Sequence, residues 1–250
     1  MGAELAGRTA LVTGGSRGIG RAVSLALARE GAAVQINYAS DDSAAGALRD
    51  EIREAGGRAS IVRADVSEPD AVAAAVAATE RELGPVDLLV CSAGIAGAGD
   101  LETLTYTGWR RVMAVNLDGV FLPVMAVKDG MLARGYGRIV CISSIAALRR
   151  RPRNLAYATS KAAVIAFVRN AATDLAPAVR INAVAPGLIE TDMIVSMDPA
   201  RREAMVRETP MGRIGQPEEI AEMTLFLLSE RSSFTTGQTL IASGGRVTLP

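Results

Sequence analysis

Short apolar runs recur along the chain, each followed by a longer stretch with helical spacing. The runs at 9–13, 33–38, 59–63, 88–91, 138–142, 180–185 and 238–242 predict seven strands. The stretches at 18–30, 43–55, 68–83, 106–134, 155–175 and 217–228 predict helices, the third capped by Ser67 ahead of Glu68-Pro69. Strand and helix alternate throughout, the order of a parallel sheet covered by helices on both faces. Runs such as Asp87-Leu88-Leu89-Val90-Cys91 show no polar alternation, as expected of strands buried on both sides. The expected fold is α/β, one doubly wound domain over 1–250. The single long irregular stretch, 189–215, carries a short helical pattern at 199–208; its place before the last βα unit suits a substrate lid.

Composition narrows the chemistry. At 250 residues, 49% hydrophobic and 22% charged, the chain has the balance of a soluble globular protein. Lys+Arg and Asp+Glu are equal at 27, so the basic footprint of a nucleic-acid binder is missing. No segment approaches the roughly 18 apolar residues of a membrane helix, and the start lacks an apolar signal core, so neither nucleic acid nor membrane is an expected partner and a cytoplasmic location is expected. Cys91 and Cys141 each lie in an apolar run and read as reduced core residues. Histidine is absent. That excludes Ser-His-Asp and Cys-His machinery and nearly all zinc catalysis, so no metal site is expected and acid–base work falls to Tyr, Lys, Asp, Glu or Cys.

Thr13-Gly14-Gly15-Ser16-Arg17-Gly18-Ile19-Gly20 lies between the first strand and the first helix. Glycines there let the backbone turn sharply against a pyrophosphate, and the helix N-terminus offers unpaired N–H groups and a positive dipole. A glycine-rich βα turn also occurs for structural reasons alone; its place after the first strand favours dinucleotide binding. The second strand runs out as Asn37-Tyr38-Ala39-Ser40, without the carboxylate that would hold the ribose of NAD, and Arg17 offers a guanidinium to a 2′-phosphate. Both favour NADP(H) over NAD(H); Asp41-Asp42, just beyond, would oppose that phosphate if the turn bends inward.

Tyr157 and Lys161 are four apart on a predicted helix and share a face. With 4 Tyr and only two Lys (128 and 161), a chance Tyr-x-x-x-Lys arises in roughly 3% of such chains. All other basic residues are Arg, so a lysine here implies a task for a compact ammonium. A phenol has a pKa near 10, and a neighbouring ammonium stabilises its anion. Tyr157 can then exchange a proton with a carbonyl or alcohol oxygen, and Ser144, after the fifth strand, can hydrogen-bond the same oxygen. The reaction read from these residues is carbonyl–alcohol interconversion with a nicotinamide dinucleotide.

These pieces, with Asp65-Val66, Ala93-Gly94, Asn116, Tyr157-Ala158-Thr159-Ser160-Lys161 and Pro186-Gly187, resemble the short-chain dehydrogenase/reductase family nearly end to end. The resemblance implies a Rossmann fold. It also implies that Asp65-Val66 contact the adenine, that Asn116 holds a water relaying protons to Lys161, and that Pro186, Gly187, Ile189 and Thr191 face the nicotinamide. Read without the family, Asn116 is a helix residue tied to nearby backbone and Asp65 a helix cap. Asn182 to Met193, Pro210-Met211-Gly212-Arg213 and Gln216-Pro217-Glu218-Glu219 are similar to 3-oxoacyl-[acyl-carrier-protein] reductases, which implies a small-molecule or carrier-bound acyl substrate. Three departures stand out: Cys91-Ser92-Ala93-Gly94 for Asn-Asn-Ala-Gly, Cys141 for Asn, and Ser243-Gly244-Gly245 for Asp-Gly-Gly.

Arg149-Arg150-Arg151-Pro152-Arg153, between Ser144 and Tyr157, is either a solvated or subunit-contact loop or an attractor for an anionic substrate. Trp109 is expected to pack on its helix. The family usually builds homotetramers, and the Ala-rich helix 155–175 has the small side chains for close helix contact. The leading expectation is an NADPH-dependent reductase of 3-oxoacyl thioesters; the alternatives are an NAD-dependent dehydrogenase of a sugar, steroid or small alcohol, and a non-catalytic dinucleotide-sensing scaffold.

Overall fold

The computed structural model describes residues 4–97, 99–150, 154–191 and 198–248. Seven parallel strands form one sheet: β1 (Thr9–Thr13), β2 (Ala33–Tyr38), β3 (Arg58–Arg63), β4 (Leu88–Cys91), β5 (Gly137–Ile142), β6 (Val179–Pro186) and β7 (Thr239–Ala242). Their order is β3-β2-β1-β4-β5-β6-β7. All seven expected strands are present, and the bounds differ by a residue or so at some ends. β1 pairs with β2 (Thr9 beside Ala33) and with β4 (Ala10 beside Leu88), so the direction of winding reverses between β1 and β4. In such sheets a crevice opens at that reversal, beyond the carboxyl ends of the strands.

Why the strands lack polar alternation is visible in β1. Ala10 and Val12 face a core formed with α1 (Gly18–Arg29), α2 (Asp42–Glu54) and α8 (Pro217–Leu228). Leu11 faces the opposite core, formed with α3 (Pro69–Glu82), α5 (Gly119–Arg134) and α6 (Leu155–Leu175). Both faces are apolar because both are covered; each fully buried Leu or Ile contributes about 1.5–3 kcal/mol of transfer free energy. Cys91 and Cys141 are free, buried, and side by side across the β4–β5 ladder. Contact between them, with burial, pushes the Cys91 thiol well up from its usual value.

Two local expectations are corrected. The helix expected over 106–134 is three segments: α4 (Tyr106–Met113), a π turn (Ala114–Asp118) and α5. The apolar period runs through all three, so the widened turn leaves no mark in it; Asn116 sits in that turn, a geometry frequent at functional sites. Ser67 does not cap α3. Its N–H and hydroxyl both donate to Asp65, at 3.0 and 2.7 Å, and Pro69 opens the helix in the first position, where its missing N–H costs nothing. The helix expected at 199–208 is α7 (Pro199–Arg207). No helix among the described residues is long and apolar enough to cross a membrane.

Candidate active site

The chain leaves β1 through Gly14, in the left-handed region at φ 60°, where a Cβ would lie 2.7 Å from the Ala93 Cα. A Cβ on Gly20 would run into the Gly14 carbonyl. Only glycine lets β1, α1 and the segment after β4 meet so closely. Asn37 fixes the turn: its backbone carbonyl accepts from Gly15 N–H at 2.9 Å, its side-chain oxygen from Gly14 N–H at 3.4 Å, and its Nδ2 donates to the Ala64 carbonyl at 3.0 Å. Sequence reading assigned Asn37 no role; the available signal was an amide in an otherwise apolar strand. Arg17 is the N-cap of α1 and its side chain does not cap the helix.

Ser16, Arg17, Gly18, Ile19 and Gly20 line a cavity of about 1180 Å³ together with Gly14, Ala39, Ser40, Asp65, Val66, Ser92, Ala93 and Gly94. Pro186, Gly187, Ile189 and Thr191 line the same cavity, Thr191 standing against Gly18, and Ser144, Tyr157 and Lys161 also open into it. Every residue expected at the site lines this one cavity except Asn116, which lies buried behind it. Asp65 is held below the usual carboxylate range, chiefly by the Ser67 hydroxyl. Asp41 also lines the cavity and caps α2 by accepting from Ala44 N–H at 2.9 Å, whereas Asp42 pairs with Arg63 at 3.9 Å. Trp109 lies on α4 and does not line the cavity.

At the far end, α6 is pinned so that Tyr157 and Lys161 share a face. The Ser143 hydroxyl donates to the Lys161 carbonyl at 2.8 Å, and Ser160 to the Tyr157 carbonyl at 2.8 Å. Ser160 in turn accepts from Asn116 Nδ2 at 3.1 Å. Asn116 also clasps the Ile95 backbone, accepting its N–H at 2.8 Å and donating to its carbonyl at 3.1 Å. Asn116 is thus tied to the backbone of a distant segment, at Ile95, and not to its own helix as a purely local reading expects. Lys161 is buried; its Nζ donates to the Ile142 carbonyl at 2.8 Å and stands 6.0 Å from the Tyr157 ring. Burial lowers its pKa to about 8, so it is mainly protonated at neutral pH. Gly94 lies between Asn116 and Lys161, a Cβ there falling 3.4 Å from the Asn116 oxygen and from Lys161 Nζ alike. The Ser144 hydroxyl accepts from Ala146 N–H at 3.1 Å, which leaves its proton to donate.

The profile of a family described as enoyl-(acyl carrier protein) reductase matches residues 14–246. Relatives agree over almost the whole length. The 3-oxoacyl-[acyl-carrier-protein] reductase of Synechocystis sp. is 40% identical, with 97% of this chain and 98% of that protein aligned. The chain is a short-chain dehydrogenase/reductase. The cis-4-hydroxycyclohexanecarboxylate dehydrogenase of Sinomonas cyclohexanicum is 41% identical over 98% of both chains. A 7α-hydroxysteroid dehydrogenase solved with NADH and 7-oxo glycochenodeoxycholic acid superposes with a TM-score of 0.94 at 36% identity, covering 99% of this chain and 97% of that one. The family is one of oxidoreductases acting on CH–OH and C=O groups with a nicotinamide dinucleotide. That sets aside the non-catalytic scaffold.

In this dehydrogenase/reductase the residues present fit such a dinucleotide. The glycine cradle excludes side chains, the first turn of α1 presents its N–H groups to the cavity, and the volume exceeds that of most single-ligand pockets. The part of the cavity wall beyond Ser144 is basic. Arg149 and Arg150 line it, as do Arg201, Ala204, Met205 and Glu208 from α7 and its end, and Arg246 from the C-terminal segment. Residues 151–153 of the arginine run, and 192–197 of the expected lid, lie outside the described residues. Arg246 had no place in the sequence reading, and Glu208 entered it only as the end of a helical pattern. A signal for Glu208 existed: 201, 204, 205 and 208 follow the spacing of one helix face.

Proposed function

We propose that this enzyme reduces 3-oxoacyl thioesters with NADPH. The observation that carries the chemistry is the joint opening of Ser144, Tyr157 and Lys161 into the far end of a cavity whose near end is the glycine cradle. The dinucleotide supplies the hydride. Tyr157 gives its hydroxyl proton to the substrate's carbonyl oxygen as that oxygen becomes an alcohol, and Ser144 donates a hydrogen bond to the same atom. Lys161, mainly protonated and on the same helix face, stabilises the phenolate left on Tyr157 until it is reprotonated. Asn116 acts as a positioning residue, through Ser160 and Ile95. The thioester substrate is supported by the similarity to 3-oxoacyl-[acyl-carrier-protein] reductases. The choice of NADPH is supported by Arg17 on the cavity wall and by the absence of a carboxylate from Ala39 and Ser40.

A second reading, oxidation of a secondary alcohol with NAD, is favoured by Asp41 beside Ser40. Initial rates with an acetoacetyl thioester, comparing NADPH with NADH and wild type with Tyr157→Phe, separate the two. The expected result is turnover preferring NADPH, lowered about 10²–10⁴-fold by the substitution, with dinucleotide affinity retained. Preference for NADH, or turnover of alcohols only, would favour the second reading.

We further infer a homotetramer built through α5 and α6. Phe121, Met125 and Leu132 project from α5 partly exposed, and Phe121 meets Phe167 of α6 edge-on at 6.1 Å. Two unbridged thiols lying side by side suit a reducing compartment, and we place the enzyme in the cytoplasm.

A further inference from the structure

Arg246 is anomalous for a residue beside an open cavity. Its side chain is only 6% exposed, and its Nε is buried without a hydrogen-bond partner. Other buried arginines also leave Nε unpaired, but among the described residues Arg246 alone of these lines the cavity. A buried guanidinium needs a countercharge. Arg246 finds one in Glu208, which its Nη2 touches; Arg149 approaches the same carboxylate oxygen at 3.8 Å and reaches the Arg246 carbonyl with its Nη1 at 3.5 Å.

Three walls of the cavity therefore meet here. Arg149 follows β5, five positions past Ser144. Arg246 follows β7 on a segment fixed by hydrogen bonds from Met211 N–H to the Gly244 carbonyl, 3.1 Å, and from Val247 N–H to the Ser243 hydroxyl, 3.2 Å. Glu208 comes from the end of α7. The two arginines stand on elements tied to the sheet, whereas α7 rests on a small separate apolar cluster of Leu188, Ile214, Met205 and Val206. Glu208 is also poorly placed to keep its position. It is the C-cap of α7, where the helix dipole opposes a negative charge, and its side chain is 57% exposed.

We propose that Arg149 and Arg246 form a receptor for an anionic oxygen group of the substrate, carboxylate or phosphate, and that Glu208 fills this receptor until the substrate displaces it. The proposal rests on reading this cavity end as the substrate site. A carboxylate on the acyl part and a phosphate on the carrier arm share the chemistry the arginines recognise.

Two measurements test this. The first titrates succinate and inorganic phosphate into dinucleotide-saturated enzyme, so that the phosphate sites of the glycine turn are filled. Glu208→Gln should bind at least one of these anions about ten-fold or more tighter than wild type, and Arg246→Met should abolish the binding. Arg149→Met provides the same comparison should Arg246→Met fail to fold. Unchanged affinity in Glu208→Gln, or binding that survives both arginine substitutions, overturns the proposal. The second compares kcat/KM for three thioesters of 3-oxoacyl groups of equal length: a neutral N-acetylcysteamine thioester, a phosphopantetheine thioester of the same acyl group, and an N-acetylcysteamine thioester whose acyl chain ends in a carboxylate. Wild type should prefer one charged substrate over the neutral one. The arginine substitutions should cost that substrate about 10–100-fold, mainly in KM, and the neutral one less than three-fold. Which charged substrate shows the loss identifies the source of the anion; equal losses on charged and neutral substrates overturn the receptor. Anion binding as expected, with no thioester turned over, would sink the acyl-thioester reading and leave the receptor standing.

Discussion

Lys161 is a cation almost wholly buried at the cavity wall, its Nζ donating to the Ile142 carbonyl close to Cys91 and Cys141. Its folded pKa of about 8 lies below the ordinary lysine value, so the unfolded chain binds the proton more tightly. Below pH 8 both states are charged and the full burial penalty opposes folding. Between pH 8 and about 10.5 the folded state sheds its proton first, and stability attributable to this group rises. Wild type should therefore gain roughly 1–2 kcal/mol relative to Lys161→Met between pH 7 and pH 9.5, measured by denaturant unfolding at each pH. A difference that is flat or falls with pH would mean that the ammonium is better solvated than its burial implies. At this scale the sequence was most informative where a residue type was rare for the chain. Lys161 stood out against an almost all-arginine background, and Tyr157 stood out beside it. Arg246 did not, being one arginine among many and almost a hundred positions from Arg149, its neighbour in space. Asn37 was hidden for a different reason: its partners, Gly14, Gly15 and Ala64, belong to two other segments.

Helix ends explain another part of the pattern. Glu219 accepts from Gln216 N–H at 2.7 Å and grips Arg213 at 2.6 and 2.8 Å, which closes a capping box at the start of α8. The Arg213 guanidinium, then the Gln216 N–H, draw the Glu219 carboxyl down to about 2. Its contribution is complete above about pH 4.5 and is lost as pH falls through 2. Glu219→Ala should lower Tm by about 2–4 °C at pH 7, as expected for a lost cap in a chain of this size, and the difference should narrow on going from pH 5 to pH 2.5. The ion pair is half exposed, so most of that loss belongs to the cap. Elements with their own apolar period were readable. All seven strands appear where expected, and so does the short helix α7. The π turn at 114–118 was not readable, because a single widened turn changes hydrogen-bond partners without interrupting the apolar stripe. Ser67 misled for a related reason: Ser before an acidic residue and Pro has the look of a cap, but Asp65 competes for its N–H and hydroxyl.

For the whole molecule, the exposed apolar face of α5 makes assembly testable. Phe121→Glu together with Met125→Glu should reduce the mass seen by light scattering from that of a tetramer to a dimer or monomer, with the far-UV spectrum retained. A wild-type mass equal to a monomer would refute the interface. That the sheet is parallel and doubly wound was legible from the alternation of strands and helices; where its order reverses, and which side chains crowd the resulting crevice, was not, because both depend on segments meeting from distant parts of the chain. The same reversal bears on how the protein acquires its shape. The neighbour of Ala10 on one side is Leu88, so the middle of the sheet cannot close until segments far apart in the chain have found each other, and such long-range pairings are slow to form. Helices on each side can gather earlier, from local contacts. In refolding from denaturant, ligand affinity should therefore return later than helical signal, making the crevice the last thing the chain completes and its occupancy a stringent reporter of the native state.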